Sequence, residues 1–83
     1  MSDKFYVYPN PTPGKVVVWS ESFSVIDGEI LVTDLSGRLV LHEKFDNNLS
    51  GRLELDLSVQ PGGSYLVQLR TQGQVYFQKL VKQ

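Results

Sequence analysis

An all-β fold, an antiparallel seven-stranded β-sandwich of immunoglobulin-like type, follows from three features of the sequence. Turn formers (Gly, Pro, Asn, Asp) recur at short, regular intervals. The stretches between them are short runs of β-branched, aromatic and leucine residues, the composition of strands. No window carries apolar residues at i, i+3, i+4 and i+7 for three turns, so no helix is expected.

The elements follow in order. Phe5-Tyr6-Val7-Tyr8 is a strand stopped by Pro9-Asn10-Pro11-Thr12-Pro13-Gly14. In that stop, two prolines flank an Asn, remove two backbone donors and force extended backbone before each, which makes a rigid turn. Lys15 to Trp19 is the second strand, ending in Ser20-Glu21-Ser22, and Phe23 to Ile26 reads as a brief extension. Asp27-Gly28 opens a strand from Glu29 to Leu35, and Ser36-Gly37 is a two-residue turn signal before Arg38 to Phe45. Asp46 to Gly51 is a loop. Arg52 to Leu57 alternates strictly, with Leu53, Leu55 and Leu57 inward and Arg52, Glu54 and Asp56 outward. Gln60-Pro61-Gly62-Gly63 breaks it, and Ser64–Thr71 and Gln74–Val81 form a last hairpin about Gln72-Gly73.

Tight turns imply antiparallel pairing, because parallel crossovers need a dozen residues or more. A single sheet would leave one face wet. The apolar set Val7, Val18, Trp19, Ile30, Val32, Leu39, Leu41, Leu53, Leu55, Tyr65, Val67 and Phe77 is too large for that, so two packed sheets are expected. Tyr65, entering a strand after Pro61-Gly62-Gly63-Ser64, has the setting of a corner tyrosine whose hydroxyl returns to the backbone.

Composition narrows the function. The chain has 83 residues, the size of one domain, and should bury roughly 60% of its unfolded surface. That leaves little room for a deep catalytic cleft. Eight basic and nine acidic residues give a net charge of −1, without the basic surplus of a nucleic-acid binder. The absence of cysteine excludes disulfides and Cys-based zinc sites, and the single histidine, His42, excludes a His-pair metal site. No apolar run approaches the ~18 residues of a membrane span, so no membrane insertion is expected, and Met1-Ser2-Asp3-Lys4 is not expected to be a secretory leader.

Candidate chemistry is sparse. Asp27, Glu29 and Asp34 are near one another in sequence but lack the dense acidic pattern of a calcium loop, and exposed turn acids explain them as well. His42 beside Glu43, with Ser36 and Ser50 in loops, would need spatial convergence to make a triad. A solvent-facing strand histidine is the simpler reading. Asn48-Leu49-Ser50 matches a short glycosylation pattern that has meaning only in a eukaryotic secretory setting. No metal, cofactor or catalytic residue is therefore assigned. The final strand, from Val75 to Val81 and on to Gln83, has an edge able to pair with a partner's strand, or simply closes the sandwich.

Five motifs occur in order. They are Val7-Tyr8-Pro9-Asn10-Pro11, Val32-Thr33-Asp34-Leu35-Ser36-Gly37-Arg38-Leu39-Val40, Leu55-Asp56-Leu57, Pro61-Gly62-Gly63-Ser64-Tyr65-Leu66-Val67 and Lys79-Leu80-Val81-Lys82-Gln83. Together they resemble the type A C-terminal sorting domain of the type IX (Por) secretion system of Bacteroidetes, over nearly the whole chain. The extra glycine at Gly62 is a small departure from that pattern. The resemblance implies a non-catalytic signal at the end of a secreted cargo protein, which supplies its own export signal. In transit through the periplasm the signal would be read by the outer-membrane translocon and its shuttle protein. A surface sortase would then remove it, leaving the cargo at the cell surface or outside. Residues 1–83 would be a single domain, with 1–4 an artificial start or linker remnant. The residues carried over are Pro9, Asn10, Pro11, Gly37, Arg38, Gly63 and Tyr65, mostly structural, and Lys79, Leu80, Val81, Lys82 and Gln83, expected to contact the translocon. The rival reading is a fibronectin type III or similar immunoglobulin-like module that binds protein or glycan. It shares the fold, and Trp19 and the Tyr65 corner suit it equally.

Overall fold

The computed structural model describes residues 5–20, 27–45, 52–71 and 73–83. The strands are β1 (Phe5–Tyr8), β2 (Lys15–Ser20), β3 (Gly28–Asp34), β4 (Leu39–Phe45), β5 (Arg52–Asp56), β6 (Gly63–Thr71) and β7 (Gln74–Lys82). All strand pairings are antiparallel. They form a three-stranded sheet, β1-β2-β5, and a four-stranded sheet, β4-β3-β6-β7. No helix occurs among the described residues. The expected two-layer sandwich of seven strands is thus what the chain forms. The Phe23–Ile26 extension, the Asp46–Gly51 loop with its Asn48-Leu49-Ser50 pattern, and Gln72 of the last turn lie outside the described residues.

The core is the set of side chains that the period of two turns inward from both sheets. Val7, Val16, Val18 and Leu55 come from the three-stranded sheet, and Ile30, Val32, Phe45, Tyr65, Val67, Leu69 and Leu80 from the other. Leu57, just past β5, is also fully buried, and its N–H donates to Gly14 O at 2.8 Å. Val40, Leu41, Leu53 and Tyr76 are partly buried against this cluster.

Three residues expected inside are not in the core. Val18 and Trp19 are neighbours on β2 and must face opposite ways. Val18 takes the core, and Trp19 packs across the outer face on Tyr6, with ring centroids 5.5 Å apart. Leu39 and Leu41 share a parity, but the pairing shifts between Val32↔Leu41 and Thr33↔Leu39, which leaves Val40 as an extra residue. That bulge turns Leu39, 50% exposed, to the solvent face. Phe77 is 58% exposed because its strand is phased by Leu80, which is fully buried and of the opposite parity.

The β3–β4 hairpin has a three-residue loop, Leu35-Ser36-Gly37, rather than the two-residue turn expected. Asp34 N–H donates to Arg38 O at 2.9 Å, closing the strands below it. Gly37, with φ of 90°, takes the left-handed position that such a loop requires.

Candidate functional site

The residues of the first and last sequence motifs meet at one place. After β1 the chain leaves the three-stranded sheet and crosses to the outer edge of β7 in the other. Both proline-preceding bonds, Tyr8–Pro9 and Asn10–Pro11, are cis. Asn10 extends its side-chain amide along β7: Nδ2 donates to Lys79 O at 2.9 Å, and Oδ1 accepts from Val81 N at 3.0 Å. Thr12 continues the contact with its backbone. Its N–H donates to Val81 O, and its C=O accepts from Gln83 N–H, both at 2.9 Å. Thr12 pairs with Lys82 as a parallel bridge. A side-chain amide carries both a donor and an acceptor, which is why Asn at this position can stand in for a peptide group.

Thr12 is itself fully buried. Its hydroxyl donates to Lys15 O at 2.7 Å and accepts from Gly14 N–H at 3.0 Å, so one side chain shapes the turn into β2. Sequence reasoning treated Thr12 only as part of a proline-rich stop. Three prolines around a β-branched hydroxyl residue was the available signal.

The same end of the molecule holds the β5–β6 connection. Tyr65 sits at the start of β6, 4% exposed, and its hydroxyl donates to Pro61 O at 2.5 Å, the expected corner arrangement. Gly63 has a φ of 151°, which strains any residue bearing a Cβ. A Cβ on Gly62 would stand 3.1 Å from the carbonyl carbon of Gln83, so the connection runs tight against the last residues of the chain.

The final pentapeptide divides by parity. Leu80 is fully buried and belongs to the core. Lys79 and Gln83 are exposed, and Val81 and Lys82 are half-buried. Lys79 lies opposite Leu66, and Phe77 opposite Gln68, on the solvent face of the four-stranded sheet. Leu66 is 37%, Val75 47% and Phe77 58% exposed, so a mixed apolar and basic surface flanks the tail. The exposure of Phe77 was not legible while that ring was expected in the core.

Gly37 and Arg38 lie in the β3–β4 hairpin, and neither makes a described contact with the tail. Arg38 N–H donates to Asp34 Oδ1 at 3.0 Å, and its Nε donates to Oδ2 at 3.2 Å. Ser36 donates to the same Oδ1 through both its hydroxyl (2.7 Å) and its N–H (3.0 Å). The Ser36 hydroxyl, then the backbone N–H groups, hold the Asp34 carboxyl below its ordinary range. The role of Arg38 here is to close a loop.

Asp27, Glu29 and Asp34 do not converge, since Asp27 and Asp34 stand at opposite ends of β3, roughly 20 Å apart. His42 Nε2 lies 2.6 Å from Glu29 Oε1 on the exposed face, with Arg70 Nη1 3.8 Å from Oε2. The His42 hydrogen bond, followed by the charges of His42, Arg70 and Lys44, holds the Glu29 carboxyl low. Neither Ser36 nor any other described nucleophile joins this pair. Among the described residues, no group of three His, Cys, Asp or Glu side chains is placed to hold a metal. Open grooves lie across the three-stranded sheet, between Tyr8, Lys15, Val17 and Glu54, and on the other sheet between Asp27, Glu29, Lys44 and Arg70.

Residues 6–83 match the family model for the secretion system C-terminal sorting domain. The chain belongs to this family of type IX secretion sorting domains. Membership implies export of the attached protein to the cell surface or beyond, and it does not favour the rival reading as a binding module. No curated protein matches the chain at a significant level. Among solved structures, the sorting domain is similar to a DUF3244 family protein from Bacteroides vulgatus with an immunoglobulin-like β-sandwich fold. The TM-score is 0.81 at 13% identity, over 99% of this chain and 92% of that one. At that identity the likeness establishes the fold alone.

Proposed function

We propose that residues 1–83 act as a single non-catalytic address, folded in the periplasm and carried behind a cargo domain. The outer-membrane translocon and its shuttle protein read it, and a surface sortase removes it. The observation that carries this reading is the family match across residues 6–83. The arrangement of the site supports it: Lys79 lies exposed opposite Leu66 and two residues along β7 from exposed Phe77, and Gln83 is exposed just past the end of that strand. In this reading Lys79, Val81, Lys82 and Gln83 make the contacts, while Leu80 serves the core.

The experiment fuses the domain behind a periplasmic reporter in a type IX-competent host. Removing Lys79–Gln83 would also remove buried Leu80, so side-chain variants are the cleaner probe. Lys79→Ala with Lys82→Ala is expected to reduce surface delivery while the purified domain melts as the parent does. Undiminished delivery by the double variant would show that these side chains are not read.

A further inference from the structure

The outer edge of β7 presents Lys79 O, Val81 N, Val81 O and Gln83 N in succession, and every one of them is engaged by Asn10 or Thr12. Such groups, left open, are the template on which another strand adds. The residues that alternate with Asn10 and Thr12 are Pro9, Pro11 and Pro13. None of these three prolines has an N–H to offer a further strand. The segment occupies the edge of β7 from Lys79 to Gln83. A rigid turn alone would not require an Asn whose amide meets one carbonyl and one N–H of a strand 69 to 71 residues distant.

We infer that Pro9–Pro13 is a latch and Asn10 its positioning residue. The latch holds the backbone of Lys79–Gln83 so that the outward side chains of Lys79, Val81 and Gln83, with Phe77 and Leu66, lie on one face of the four-stranded sheet. The machinery that recognises this surface docks on side chains and does not add a strand to the tail. The signal is thus a conformational surface and not a linear peptide. This rests on the reading that the surface around Lys79–Gln83 is what the export machinery recognises.

The test uses the full 83-residue chain and its reporter fusion. Asn10→Ala removes both side-chain bonds. By amide hydrogen exchange, Val81 should exchange about tenfold faster, and Gln83 should follow, while Ile30 and Val67 in the core stay as protected as before. Surface delivery of the Asn10→Ala fusion should fall although the domain remains folded. A synthetic peptide of residues 74–83, added to outer-membrane extracts of the host, should fail to compete with the whole domain for capture. Unchanged exchange at Val81, or competition by the peptide as effective as that of the domain, would overturn the latch. Delivery separates the two ideas. If Lys79→Ala with Lys82→Ala abolishes delivery and Asn10→Ala does not, the latch fails and the reading of the surface stands. If the lysine variant delivers normally, that reading fails whatever Asn10 does.

Discussion

A single carboxylate organises the β3–β4 hairpin, and its protonation reports on folding. Asp34 Oδ1 accepts three hydrogen bonds, from the Ser36 hydroxyl and from the Ser36 and Arg38 N–H groups. These favour the ionised form, so the folded carboxyl lies below its ordinary value of 3.8. A folded-state pKa that is depressed contributes stability above the unfolded value, and the contribution is lost as pH falls through the folded one. Asp34→Asn cannot titrate. It should melt at a lower temperature than the parent at neutral pH, and the difference should shrink as pH falls from about 5 to about 2. Melting curves across that range check the sign; a gap that widens in acid contradicts it. Asp56, held low first by the Ser58 hydroxyl and then by its N–H, follows the same pattern at the end of β5.

Strands obey parity, and parity decides which apolar residues matter. On β5, Leu55 is 3% exposed between exposed Glu54 and Asp56. Leu55→Asp should unfold the domain, because it puts an unpaired charge among aliphatic side chains. On β7, Phe77→Ser should leave the melting temperature within a few degrees of the parent, because the ring already faces water. Thermal melts of the two variants test the two assignments together. A cooperative transition in Leu55→Asp, or a collapse in Phe77→Ser, would show that a strand had been phased wrongly. The bulge at Val40 belongs to this scale as well. One extra residue in β4 moves Leu39 from the expected core to the surface.

The two sheets are tied together by the connections that cross between them at the tail end of the molecule. One is Pro9–Gly14, which leaves β1 for the edge of β7 and returns to β2. The other is the β5–β6 connection, pinned where the Tyr65 hydroxyl donates to Pro61 O. Removing that hydroxyl leaves a part-buried carbonyl without its donor. Tyr65→Phe should therefore cost about 1 kcal/mol, or roughly 4–8 °C in Tm for a domain of this size. A melting temperature equal to the parent's would show that the corner does not hold the sheets.

The seven runs of strand residues and the turns between them were readable along the chain, because alternation and turn chemistry are local. The alternation of β5, the stop at Pro9 and the corner at Tyr65 are all visible that way. So was family membership, through motifs that keep their order. Two things were not local. Of adjacent apolar residues such as Val18 and Trp19, only the position of the opposing sheet selects the one that enters the core. And nothing in Pro9-Asn10-Pro11 names its partner. The amide of Asn10 acquires its function only when folding lays the last strand alongside it, some seventy residues later, with a carbonyl and an N–H left open at the spacing an amide can bridge.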